Sequence, residues 1–208
     1  MSKSAAGNPA NPKAAAKSTW RVVDIVVASV LAVAVGVIFW LWSAGYGLIS
    51  ALTVAFPPLV ALYGGGWLIA GVLGALVIRK PGAALYCELV AATVEGLLGT
   101  HFGFTVLLSG LVQGLGAEAI FALFRYRKFT LPVALLAGAL SGVALGLNDS
   151  LISNVAWAFE WKALYVVLAA VSGAVIAGLL SWLAVRGLAR TGALANLPSR
   201  GAAAESVV

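Results

Sequence analysis

Six polar residues lie inside otherwise apolar, helix-length runs of this sequence: Glu88 and Glu95, then Gln113 and Glu118, then Asn148 and Asp149, while Asp24 opens the first run. An ionisable group at the centre of an isolated membrane helix costs about 2.5–3.5 kcal/mol on insertion scales, so its retention asks for a reason. Glu88 and Glu95 are seven residues apart and share a helix face. Aromatic residues, Trp40, Trp42, Tyr46, Tyr63, Trp67, Trp157 and Trp161, flank the same runs. Carboxylates beside aromatic faces suit a cationic or amine-bearing ring, held by hydrogen bonds, stacking and cation–π attraction of about 0.5–2 kcal/mol. Glu95, Gln113, Asn148, Asp149, Tyr63 and Trp67 are therefore the candidate ligand contacts, with His101 of the loop "GTHFG" beside them. Each candidate has a plainer alternative. An interfacial belt accounts for many of the aromatics, a loop histidine needs no ligand, and Glu88 and Glu118 read as ties between helices.

Enzyme chemistry is not indicated. The sequence has no GxxxxGK[ST] phosphate loop, no HExxH, no GxSxG and no cysteine/histidine metal set. Its one histidine leaves little acid–base capacity near neutral pH. The lone Cys87 allows no internal disulfide and reads as a small packing residue. No catalytic residue, metal site or cofactor is expected. The net charge of +6 does not imply nucleic acid, because the basic residues sit at the ends of apolar runs, where they mark membrane orientation.

The elements that must carry these residues are membrane helices. Of 208 residues 62% are hydrophobic and only 10% charged, with mean hydropathy +1.04, against about 25% charged in soluble domains. The ~10-residue alternation of barrel strands is missing, so the expected fold is an all-α integral membrane bundle. Residues 1–19, rich in Ala, Asn, Pro, Ser and Lys, read as a disordered tail. Apolar stretches follow at 22–42, 47–62, 65–78, 83–98, 104–124, 131–153 and 163–185.

Basic residues decide how many of these cross. If 47–62 does not, six spans remain, both termini are cytoplasmic, and twelve of the thirteen Lys and Arg lie inside, with Lys162 outside. Seven spans would reverse that rule for eight residues. The reading is thus a six-helix bundle over 20–190 in the cell membrane, with a cytoplasmic tail over 191–208. The stretch 47–62, with Pro57 and Pro58, becomes a long outer lid between helices 1 and 2. This orientation brings Glu95, Gln113 and Asp149 together beneath the lid, which Tyr63 and Trp67 directly follow. Small residues recur every four positions at Ala28, Ala32 and Gly36, at Gly110 and Gly114, and at Gly138, Gly142 and Gly146. Such faces let helices approach closely, within the bundle or against a partner, and the first is the best partner candidate.

The segments "RKPGAAL" (79–85), "ELVAATVEGLLG" (88–99), "QGLGAEAIFAL" (113–123) and "ARTGAL" (189–194) resemble the YkoE-type substrate-binding (S) components of energy-coupling-factor transporters. The resemblance covers most of residues 20–195. It implies a six-helix protein that captures thiamine or its hydroxymethylpyrimidine precursor from outside. Its partners would be a transmembrane coupling (T) subunit and cytoplasmic ATPases, with Ala28, Ala32 and Gly36 docking on the coupling subunit. Glu95 and Asp149 fall within family-like segments. The stretch "FPPLVALYGGG" departs from the pattern by lacking the acidic residue that relatives tend to carry there, which leaves the vitamin form open. Two alternatives stand beside this reading: an S component for another vitamin or a metal, and a self-sufficient ion-coupled carrier using Glu88 and Glu118 as a proton relay.

Overall fold

The computed structural model describes residues 19–207, so the tail expected over 1–19 lies, except for Thr19, outside the described residues. The chain runs through α1 (Val22–Leu52), a 3₁₀ stretch (Pro57–Leu68) continuing into α2 (Ile69–Ile78), α3 (Ala83–Leu98), α4 (Thr105–Leu123) and α5 (Leu131–Ile152). It ends with α6 (Phe159–Ser172), a π-helical stretch (Gly173–Leu179), α7 (Leu180–Arg190) and a short 3₁₀ turn (Pro198–Gly201). These make six rods, because the 3₁₀ stretch and α2 form one, and α6 to α7 another. Five rods are long and apolar enough to cross a membrane. The sixth, α3, has 16 residues and rises only about 24 Å. The exposed surface is dominated by Val, Leu and Ile, such as Val30, Leu97 and Leu151, as a chain solvated by lipid requires. This is a multi-pass membrane protein.

The expected lid is not there. Residues 47–52 continue α1, residues 53–56 make the whole connection, and 57–62 already belong to the second rod. The two prolines explain the difference. Pro57 and Pro58 occupy the first turn of a helix, where a missing N–H removes no bond and the fixed φ suits the entry. They begin a rod rather than interrupt one. Pro57–Ile78 is also the most enclosed rod, with 78% of its apolar window buried. Gly65 and Gly66 allow that. A Cβ on Gly65 would lie 2.5 Å from the Ser172 carbonyl oxygen, and one on Gly66 would lie 2.2 Å from the Trp42 indole.

The small-residue faces are filled from within the chain. Ala28 and Ala32 are fully buried, and a Cβ on Gly36 would come within 2.7 Å of the Ala91 carbonyl oxygen on α3. The expectation that Ala28, Ala32 and Gly36 dock a partner is corrected accordingly, because α3 already occupies that face. Cys87 belongs to the same seam, its thiol 3.8 Å from the Ala28 carbonyl oxygen. Gly110 and Gly114 of α4 back onto the other side of α3, and Gly138, Gly142 and Gly146 of α5 onto α6 and the π stretch.

At one end of the bundle the basic residues gather and are tied down. Asp24 pairs with Arg21 at 2.8 Å and with Lys80 at 2.6 Å. Arg79 pairs with Glu205, Ser199 Oγ donates to the Val77 carbonyl at 2.7 Å, and Arg186 donates to the carbonyls of Ala203 and Glu205. Residues 191–207 thus fold back onto the rods. Arg21 donates to the Asn196 carbonyl at 3.1 Å, which sets the two ends of the described chain side by side. An even number of rods has that consequence.

Glu118 joins three elements at this end. Its carboxylate accepts from the backbone N–H of Gly82 at 2.6 Å, Ala84 at 2.9 Å and Leu85 at 3.2 Å, and from the Tyr126 hydroxyl at 2.8 Å. It therefore caps the N-terminus of α3, where unpaired N–H groups and the helix dipole both favour an anion. Burial first, and the Glu118 bond second, raise the Tyr126 hydroxyl above the usual phenol range, so it remains a donor. Bonds to charged groups contribute about 1.5–3 kcal/mol each. Glu118→Ala is expected to lower the unfolding temperature in detergent by several degrees, and Tyr126→Phe by less, both measured by thermal-shift fluorimetry; an unchanged temperature for Glu118→Ala would remove the cap from this account.

Candidate functional site

Away from the basic end the rods enclose a cavity of about 120 Å³, roughly ten times what one water needs. Glu95, near the C-terminal end of α3, is 2% exposed. Ser43 of α1 donates to its Oε1, and the Trp67 indole N–H lies 3.3 Å from the same oxygen and 3.1 Å from Ser43 Oγ. Three rods therefore meet at one carboxylate. Across the cavity Asp149 Oδ2 accepts from the Tyr165 hydroxyl at 2.7 Å and Oδ1 from the Asn148 amide at 3.3 Å. That amide also donates to Ser109 Oγ at 3.0 Å. The carboxylates are held in place before any ligand arrives.

The structure brings Glu95, Gln113, Asn148, Asp149 and Trp67 into the wall of this single cavity. The sequence offered two further candidates, Tyr63 and His101, that are not in the wall. Tyr63 stacks on Trp42 at 4.3 Å and donates to the Trp42 carbonyl at 2.8 Å, so its ring is committed to α1. It touches the site only through Trp67, edge-on at 5.6 Å. His101 packs on Phe102 and Tyr46, and those two rings, not the imidazole, face the cavity. His101 owes its place to loop geometry, and Tyr63 to the way the 3₁₀ stretch turns its ring to α1, and residue type encodes neither.

Other wall residues were passed over: Phe39, Phe102, Ser109 and Tyr165, and Glu88, read as a structural tie. The signal for Glu88 was present in its spacing, since a residue seven before Glu95 on one helix must look the same way. Glu88, Glu95 and Asp149 are carboxyl groups, and among the described residues of the wall there is no Lys, Arg or His. The site is thus biased towards a cation and offers Trp67, Tyr46 and Phe102 as ring faces. Cavities of this kind, apolar with a few convergent polar groups, are where small ligands bind.

Three comparisons bear on the site. Residues 23–144 match the family described as the permease component of the ABC-type cobalt transport system. The Bacillus subtilis protein named HMP/thiamine permease protein YkoE is 38% identical over 179 residues, which cover 85% of this chain and 88% of that protein. A crystal structure of an S-component of an ECF transporter superposes with a TM-score of 0.80 at 38% identity, covering 86% of this chain and 91% of that one.

Proposed function

This chain belongs to the YkoE-type substrate-binding (S) components of energy-coupling-factor transporters, and we propose that it captures thiamine or its hydroxymethylpyrimidine precursor from the outer side of the cell membrane. It is a transport subunit, not an enzyme. The observation that carries the ligand is the cavity wall: Glu95 and Asp149 are both held in it by hydrogen bonds, with the rings of Trp67 and Tyr46 in the same wall. Thiamine joins a cationic thiazolium to an aminopyrimidine, and a wall of carboxylates and ring faces complements both. The relative's name says HMP/thiamine, which agrees with that chemistry. A metal cargo is less well served, since among the described residues no three His, Cys, Asp or Glu groups stand close enough together to hold an ion.

In this reading all six rods cross, the short α3 included, and the basic end is cytoplasmic, which puts nine of the ten Lys and Arg among the described residues on that side. Residues 20–190 form the binding domain, flanked by cytoplasmic segments 1–19 and 191–208. A coupling subunit and ATPases supply the energy, which fits a sequence without a phosphate loop. Their contact lies outside the α1 face that α3 fills. Tryptophan fluorescence tests the ligand: Trp67 lines the cavity and Trp157 packs edge-on against Tyr165 at 5.8 Å. Saturable change with thiamine or hydroxymethylpyrimidine is the expected result. No response to either, or to thiamine phosphates, would reject the proposal.

A further inference from the structure

Glu88 is 1% exposed, lines the cavity, and has only one of its two carboxyl oxygens engaged. Oε2 accepts from the Gly71 backbone N–H at 2.5 Å. Oε1 has no hydrogen-bond partner among the described residues. The Gly71 bond accounts for one oxygen, at the third residue of α2, where a helix N–H lacks an intrahelical acceptor. A glutamine would satisfy that N–H equally well, so the bond does not explain why a carboxyl group is present. An unmet buried acceptor is costly. The carboxyl is also held firmly: a Cβ on Gly71 would lie 3.0 Å from Oε2, and one on Gly114 would lie 3.0 Å from the Glu88 Cβ.

We propose that Glu88 Oε1 is the innermost ligand contact, accepting the N–H of an amino group on the end of the ligand that enters first. Seven residues of helix separate Glu88 from Glu95, about 10 Å along the axis of α3, and the one cavity touches both. The ligand is read at two heights. Deep in the bundle a single free acceptor meets a hydrogen-bond donor. Nearer the other end Glu95 and Asp149 face a charge. Thiazolium carries no N–H, so with thiamine the aminopyrimidine is the deep end and the cation stays beside Glu95, Asp149 and Trp67. This assignment rests on the proposed ligand and adds its direction of entry.

Oxythiamine, with an exocyclic oxo group in place of the 4-amino group, is the probe. The wild-type chain in detergent is expected to bind thiamine between about tenfold and a hundredfold more tightly than oxythiamine by calorimetry. Glu88→Gln keeps an acceptor for Gly71 and turns an N–H towards the cavity, so that preference falls by about tenfold or more. A wild type that binds both compounds equally overturns the assignment without needing the variant to fold. So does a variant that weakens both equally, because a structural residue would do that. A wild type that binds neither compound overturns the proposed ligand together with this inference.

Discussion

Glu95→Gln combined with Asp149→Asn is expected to weaken thiamine binding by about a hundredfold or more while the protein stays folded. Each carboxylate facing a cation in a water-poor cavity contributes about 1.5–3 kcal/mol, and every 1.4 kcal/mol is about tenfold in affinity. The amides are close to isosteric. An amide oxygen can still accept from Trp67 and Ser43 at position 95, and from Tyr165 at position 149. The loss is therefore one of charge, not of scaffold. Hydroxymethylpyrimidine, which has no thiazolium, should lose much less. Calorimetry with both ligands, alongside unfolding temperature, separates the effects; equal losses for the two ligands would mean that the carboxylates hold the cavity together instead of attracting the cation.

Gly142→Leu is expected to leave no monodisperse folded protein. A Cβ at this position would sit 2.2 Å from the Ala169 carbonyl oxygen and 2.8 Å from the Ala170 Cα, and backbone atoms cannot swing aside as a side chain can. The rods would have to separate along the whole seam, where Gly138 and Gly146 make similar approaches to Gly173 and Val166. Lipid tails are as apolar as the displaced side chains, so close packing is what holds helices together in a bilayer and nothing compensates for its loss. Overpacking commonly costs about 1–3 kcal/mol even where a core can adjust, against a total stability of about 5–15 kcal/mol. Gly47→Ala is the control, since a Cβ there meets nothing within 4 Å. Size-exclusion profiles of the two variants should differ sharply, and a Gly142→Leu chain that elutes like the wild type would contradict the packing.

The rods were largely legible because hydropathy and helix rise together limit where a chain can be helical in lipid. Ala83–Leu98 was read to the residue, and the stripe Gly138, Gly142, Gly146 could only be a contact face. What misled was punctuation. "FPP" looks like a breaker, yet in the first turn of a rod proline breaks nothing, so an outer lid was expected where α1 simply runs on to Leu52. Small residues say that something approaches closely without saying what, and for Ala28, Ala32 and Gly36 it is α3 of the same chain. The convergence of Glu95, Gln113 and Asp149 followed from helix direction, which the basic residues set. His101 depended on how a short connection turns and Tyr63 on which way the 3₁₀ stretch faces, and spacing reports neither. The return of residues 191–207 onto the bundle had no sequence signal beyond scattered residues such as Leu194, Leu197 and Ser199, which are buried.

A structure of the purified chain determined at saturating thiamine tests the central claim most directly. The account predicts one ligand in the cavity between Trp67 and Asp149, with its thiazolium beside Glu95 and Asp149. A ligand bound anywhere outside that cavity, or no ligand despite saturation measured in the same sample, would contradict it.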